Sequence, residues 1–352
     1  MRLTGPDAVK CLENSTINNY SNFPVSKGRH IIAITPDGKM IGDGIAFKEG
    51  EQAFLLTAGS TLEEGQMIKT SGLEVTLEDV TEKLYNFHIQ GPNSRKVIEA
   101  LCGEDIGDLK FLCFRTIKIS GRTVRLYRGG MSGELGYEFF GPSEDASVIW
   151  LAVTEAGREF GLRQLGYRSM MLNHLQAFFP TIGVYFLPST LPKEANLHMF
   201  FRSPVDYGWG GLIDKNRDFP GKDILLEEMA HPKQKTMMLE WHPEDCLAIY
   251  ASLFDHENEP LEQMPLPVNT SELASGAPLG LPVFNKENQL IGFATNRGYS
   301  CEFRKVLSIT QLDINYTKPG TEVLVLYGSQ GKRQMLVRAV VAEAPYKKDK
   351  RK

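Results

Sequence analysis

Glu138 stands inside the run GELGYEFFGP (residues 133–142), an aromatic run that reads as a strand. Alternation along such a strand puts Leu135, Tyr137 and Phe139 on one face and Glu138 on the other. A carboxylate aimed into a partly buried site costs free energy unless something pairs with it. A flat heterocycle with two adjacent N–H donors suits it, and the amino-pyrimidinone edge of a pterin offers that pair. The plainer reading is a solvent-facing glutamate on an amphipathic strand. Asp43 poses a similar choice. It lies in MIGDGIAF between Gly42 and Gly44, which let backbone or a ligand come close. An aspartate in mid-strand opposes β propensity, which favours a chemical duty over a capping or turn role. On a helix further along, Arg168 in GLRQLGYRSMML can hold carbonyl or carboxylate oxygens in fork geometry, or else form a surface ion pair of little worth. His174 is either an acid–base group or a histidine satisfied in the core. Tyr137, Phe178, Phe179 and Tyr185 are candidates to wall a flat ring, and each alone also reads as core.

These side chains need a scaffold. At 352 residues the chain suggests two or three domains. A hydrophobic share of 42% and a charged share of 23% are those of an ordinary globular protein. The net charge of −4 gives no general pull toward nucleic acid. The basic tail 347–352 reads as a solvated, disordered end, with an electrostatic contact to an acidic partner as its alternative. Cys11, Cys102, Cys113, Cys246 and Cys301 form no CxxC pair, and their odd count argues against a disulfide framework or a zinc site. No metal is expected. With no apolar run of membrane-spanning length and no signal peptide, a cytoplasmic location without a membrane partner is expected.

Residues 2–4 read as the end of a strand, and Pro6 suits the first turn of a short helix. Residues 30–35 and 40–47 are strands joined by the Pro36-Asp37-Gly38-Lys39 turn, and residues 52–57 are a third. A strand at 87–90 leads into a helix at 92–102 with Val97, Ile98 and Leu101 as its apolar stripe. Residues 115–119 and 123–128 form a hairpin across Ser120-Gly121-Arg122. A helix at 144–160 is expected to turn Val148, Leu151, Ala152 and Ala156 inward. This alternation is α+β with antiparallel sheets. Residues 183–206 read as a long loop crossing the site. From about Lys235 the pattern turns almost wholly β, with short strands at 236–241, 249–254, 281–284, 290–297, 306–311, 322–327 and 334–342. That spacing is the signature of a barrel or sandwich. Residues 260–280 read as an exposed insertion. The expected domains are an α+β region over 1–234, in two subdomains, and a β-barrel domain over 235–352.

An ordered series of segments carries a family likeness. It comprises RLTGPDAVKCLENST (2–16), TPDGKMIGDGIAF (35–47), FHIQGPNSRKVIEAL (87–101), GELGYEFFGP and GLRQLGYRSMML (161–172). DFPGKDIL (218–225), YASLFD (250–255), GYSCEFRKVLSITQLD (298–313) and GTEVLVLYG (320–328) follow. In these the chain resembles the folate-binding T-protein (aminomethyltransferase) superfamily, and within it the tetrahydrofolate-dependent O-demethylases of vanillate and syringate. The resemblance implies a T-protein-like folate-binding fold with a C-terminal β-barrel, and tetrahydrofolate as cofactor. It implies that Asp43 is the acid near the folate's reacting nitrogens, stabilising positive charge or relaying a proton. Glu138 would read the pterin, Arg168 would hold folate oxygens, and Tyr137 and Phe179 would line the cofactor. Relatives carry a further helix and strand before Arg2, and that segment is expected to be absent here.

The departures bear on the substrate. Met170 stands where the O-demethylases place a catalytic tyrosine, and methionine has no proton to give a phenolate. Gly59 stands about where they hold the aromatic acid with an arginine. Ala58-Gly59 also replaces a pterin-contacting asparagine of the T-protein, and Leu175 or Gln176 replaces a glutamate. The resemblance therefore implies methyl transfer from a small methylated substrate to folate N5, with an aromatic ether, amine, sulfonium or other ether as donor. One alternative is a glycine-cleavage-type aminomethyltransferase, although no feature specific to docking a lipoyl carrier protein is seen. The other is a non-catalytic folate-binding or regulatory protein.

Overall fold

The computed structural model describes residues 1–57, 70, 72–191, 194–264 and 280–352. The chain divides into two compact units. The first comprises residues 1–164, 212–222 and 349–352; the second comprises 165–211 and 223–348. This differs from the expected division at 234/235, because residues 165–211 and 223–234 cluster with the barrel strands. Among the described residues no helix is long and apolar enough to cross a membrane.

In the first unit the described strands form two antiparallel sheets. One comprises β1 (Arg2–Thr4), β2 (Gly28–Ile34), β3 (Met40–Gly50), β4 (Ala53–Leu56) and β5 (Thr76–Glu78), in the order β2-β3-β4-β1-β5. The β2–β3 hairpin closes with Thr35 N donating to Lys39 O, and Gly38 supplies the positive φ that the turn requires. Leu3, Ile31, Ala33, Ala46, Phe54 and Leu56 bury one face of this sheet against the helix Ala8–Ser15.

The other sheet comprises β6 (Leu84–Gln90), β7 (Phe114–Ile119), β8 (Arg122–Arg128) and β9 (Gly136–Pro142), in the order β6-β9-β8-β7. One face packs Ile117, Val124, Leu126, Tyr137 and Phe139 against the helices Ser94–Cys102 and Ala146–Gly157. The second helix corrects an expectation. Ile149 and Val153 face inward, whereas Leu151 is 67% exposed. Of the expected stripe Ala152 does pack against this core, while Val148 and Leu151 lie exposed because the buried face runs through Ile149, Val153 and Gly157.

The remaining faces of the two sheets meet. Phe47 and Leu55 from the first pack with Phe114, Tyr127 and Phe140 from the second. Phe47 meets Tyr127 edge-on with ring centroids 4.8 Å apart. Main-chain bonds seam the sheets together, with Gly28 N donating to Leu112 O at 2.7 Å and Phe114 N to Ser26 O at 2.9 Å. Gly28 gives this seam room, because a Cβ there would lie 3.0 Å from the Tyr127 ring and press on it by a few tenths of an ångström. Glu49 on β3 pairs with Arg125 on β8 and Arg2 on β1.

The tail is ordered where solvation was expected. Lys350 pairs with Glu134 at 3.2 Å, and Arg351 Nη1 donates to Gly130 O at 3.0 Å. In the second unit Lys347 is buried beside Glu302. Lys347 is thus shielded from water, whereas the Lys350 side chain remains 58% exposed.

Among the described residues of the second unit, six strands close a barrel: β10 (Gln234–Trp241), β11 (Leu281–Phe284), β12 (Leu290–Ser300), β13 (Lys305–Asp313), β14 (Glu322–Tyr327) and β15 (Met335–Ala342). Its apolar core includes Leu239, Val283, Leu312, Val325, Val337 and Val341. The strand expected at 249–254 is instead part of a helix, Pro243–Ser252. Pro243 opens that helix, with Glu244 and Asp245 favouring the positive end of its dipole, while Cys246 and Ile249 bury at helical spacing. A short apolar run does not distinguish strand from helix by period alone. Of the expected insertion, Leu261 and Met264 are buried in the barrel's apolar cluster, and 265–279 lie outside the described residues. The expected long loop contains 3-10 turns at Glu194–Phe200 and Val205–Tyr207.

Candidate active site

Register decides where the acids point. On β9, Tyr137 and Phe139 face the helices, so Glu138 and Phe140 face the first sheet. On β3, Ile45 and Phe47 join the aromatic cluster between the sheets, and alternation puts Asp43 on the same side. The two carboxylates thus lie on the facing sides of the first unit's two sheets.

Glu138 is 8% exposed. Its cross-strand neighbours are His88 on the edge strand β6 and Tyr127 on β8. Asn86 Nδ2 donates to Glu138 Oε2 at 3.3 Å, and His88 Nε2 lies 3.5 Å from the same oxygen. Among the described residues Oε1 accepts no hydrogen bond. Burial, reinforced by the Glu138 charge, pushes the Tyr127 phenol far above its ordinary pKa, so it stays neutral.

Asp43 is paired as well. Its Oδ2 lies 2.7 Å from His30 Nε2. His30 was not singled out by sequence reasoning, and a β-bulge explains why. Near the turn Ile34 pairs with Met40, but beyond the bulge Ala33 pairs with Gly42 and Ile32 with Asp43. Counting out from the turn without a bulge would place Asp43 opposite Ile31, on the sheet's other face. The extra residue re-aims Asp43 to the face that carries His30. His88 and Asn86 were missed too. Their alternation with Tyr85, Phe87 and Ile89 is visible in YNFHI (85–89), but the sequence does not show which strand they face.

The other expected site residues fall elsewhere. Tyr137 is buried among apolar side chains on the face of β9 opposite Glu138, so it serves the core and does not line a ring beside that acid. Arg168 belongs to the second unit and lies exposed in the first turn of the helix Tyr167–Gln176. On that helix Met170 packs against an apolar cluster with Met171 and Leu175. His174 is buried, its Nδ1 is 3.0 Å from Thr181 Oγ1, and its ring lies 5.4 Å from that of half-buried Phe179. Gln176 Nε2 donates to Ser300 Oγ at 2.6 Å. Ala58 and Gly59 lie outside the described residues. Among the described residues no group of three His, Cys, Asp or Glu is arranged to hold a metal ion.

Comparison with known proteins bears on this arrangement. The model of the GCVT N-terminal domain family matches residues 1–203. A sesamin methylene transferase of Sinomonas sp. is 29% identical, over 98% of this chain and 82% of its own length. A syringate O-demethylase of Sphingobium sp. is 28% identical, over 98% of this chain and 83% of its own. An aminomethyltransferase of Caldanaerobacter subterraneus is 24% identical, over 98% and 82% respectively. Among solved structures, the glycine cleavage system aminomethyltransferase T of Bartonella henselae matches with a TM-score of 0.73 at 18% identity, over 99% of this chain and 84% of that one, which is a likeness of fold.

Proposed function

The chain belongs to the GCVT N-terminal domain family, and from that membership we propose that it moves a methyl group from a small methylated substrate to tetrahydrofolate. As a member it is a tetrahydrofolate-dependent one-carbon transferase. The observation that carries the finer reading is Glu138. Its buried carboxylate holds Asn86 and His88 at one oxygen and leaves the other without a donor among the described residues. The two adjacent N–H donors of an amino-pyrimidinone edge would satisfy it.

Bound tetrahydrofolate supplies N5, the nucleophile that accepts the one-carbon unit. In this reading Glu138 orients the pterin and Asp43 stabilises positive charge as the carbon moves. Much of the rate then comes from alignment of donor and acceptor. Relatives named for syringate and sesamin favour a carbon carried on an aryl ether oxygen. Relatives named aminomethyltransferase support aminomethyl transfer as the second reading.

Anaerobic titration with tetrahydrofolate, of wild type and Glu138→Ala, tests the site. Saturable binding that the variant loses is expected. No binding by folded wild type would overturn the folate reading. Syringate and sesamin are then offered as donors and followed by mass spectrometry. Product from neither would shift the assignment to aminomethyl transfer.

A further inference from the structure

We infer that His30 is the proton-relay residue of this site, acting through Asp43; the inference rests on the folate reading above. Its Nε2 lies 2.7 Å from Asp43 Oδ2. The imidazole is 25% exposed and the carboxylate 13%, so His30 is the solvent-side member and Asp43 the inner one.

His30 is held with more care than an edge-strand residue requires. The open side of β2 is covered by Asn18, which is 1% exposed. Asn18 Nδ2 donates to His30 O at 2.8 Å, and Ile32 N donates to Asn18 Oδ1 at 2.9 Å. The side-chain amide thus completes the ladder that an edge strand lacks. Arg217 fixes the segment that carries Asn18, donating to Glu13 O and Thr16 O at 2.6 Å each and to Asn18 O at 3.2 Å. The β-bulge then turns Asp43 to meet the clamped histidine.

The reaction needs such a relay. Methyl transfer from a heteroatom to a folate nitrogen forms a C–N bond and breaks the bond from carbon to the heteroatom, whose electron pair stays on the heteroatom. One proton must leave the nitrogen and one must reach the heteroatom. An inner carboxylate can exchange that proton, and an imidazole on its solvent side can pass it between the carboxylate and water.

The test separates a relay from a brace. His30→Gln keeps an N–H for Asp43 but cannot accept and release a proton, and His30→Ala leaves a gap. Both should bind tetrahydrofolate within about two-fold of wild type, while single-turnover transfer from the donor identified above falls by about 100-fold or more. Imidazole in solution should restore His30→Ala and leave His30→Gln unchanged. Independently of turnover, 15N-histidine spectra should show an Nε2–H tautomer for His30 that Asp43→Ala disturbs, and ring signals that tetrahydrofolate shifts. Wild-type transfer by His30→Gln would overturn the relay. So would ring signals indifferent to both Asp43→Ala and tetrahydrofolate, and these spectra decide if His30→Ala fails to fold or neither donor reacts. Absence of tetrahydrofolate binding by wild type would defeat the folate reading instead.

Discussion

Both units bury polar side chains in β-structure, but they do so differently. In the barrel the buried groups are mostly neutral and bonded to one another. Trp241 Nε1 donates to Ser308 Oγ, Ser308 meets Thr310, and Thr295 Oγ1 donates to Ile309 O. In the first unit the two candidate-site carboxylates, Glu138 and half-buried Asp43, are each touched by a histidine, and Glu138 has a second oxygen to offer. Closed neutral networks specify a fold, whereas an open carboxylate costs stability that only a ligand returns. Burial of polar groups therefore says little about function until charge and saturation are examined.

Glu138→Gln should break this contrast most strongly. It removes a buried charge, so thermal stability should hold or rise, while tetrahydrofolate affinity falls by about 3 kcal/mol, or roughly 100-fold. A melting scan and a titration on the same sample read both. Lost stability with intact binding would make Glu138 a structural residue like its barrel counterparts. Ser308→Ala is the converse. It leaves the Trp241 indole N–H, 3.0 Å from Ser308 Oγ in the native barrel, without its partner, at a cost of about 2 kcal/mol in urea unfolding. Tetrahydrofolate affinity should be unchanged.

The difference between the units also governs what the sequence could tell. The barrel strands were legible because turn residues punctuate short β-branched runs, as at Glu322–Tyr327. The helix Pro243–Ser252 was not, since its apolar residues fit either period. Glu138 and Asp43 were legible as polar residues in apolar strands, and their resemblance to a folate-binding family named a cofactor. Their histidines were not, because partnership depends on register. His88 meets Glu138 through a pairing of strands separated by a helix and a hairpin, and His30 meets Asp43 only because a bulge shifts the count by one. Tyr137 was grouped with the site although alternation already put it on the opposite face from Glu138.

Tyr85 sharpens the comparison inside the first unit, where it is a buried polar group with neither charge nor partner. Its hydroxyl has no hydrogen bond among the described residues, and burial, aided by Asp145, pushes its pKa up to about 12. An unfolded tyrosine ionises near pH 10 (about). Below that pH its contribution is constant. Between pH 10 and about 12 the unfolded chain releases the proton and the folded chain keeps it, so stability falls as pH rises. Tyr85→Phe should gain about 1 kcal/mol at neutral pH and flatten part of the alkaline loss. Raised phenols at Tyr20 and Tyr127 would sustain the remainder. A loss of stability at neutral pH would mean that the hydroxyl is bonded after all.

The smallest effect should come from the tail, where the same charges meet in solvent. Lys350 pairs with Glu134, Arg351 donates to Gly130 O, and Lys350 N donates to Gly133 O, all on the segment that leads into β9. The Lys350 side chain is 58% exposed, so its pairing is screened by water and ions. Replacing Lys350 and Arg351 together by alanine should lower stability by about 1 kcal/mol or less at low salt. In 1 M salt the difference should largely vanish, because the pair is exposed, whereas the stability change caused by Glu138→Gln should persist, because that charge is buried. Urea midpoints for both variants at the two salt concentrations decide it. A tail effect that resists salt would mean that the main-chain bond at Gly133 and the Arg351 contact at Gly130 hold the tail, with charge contributing little.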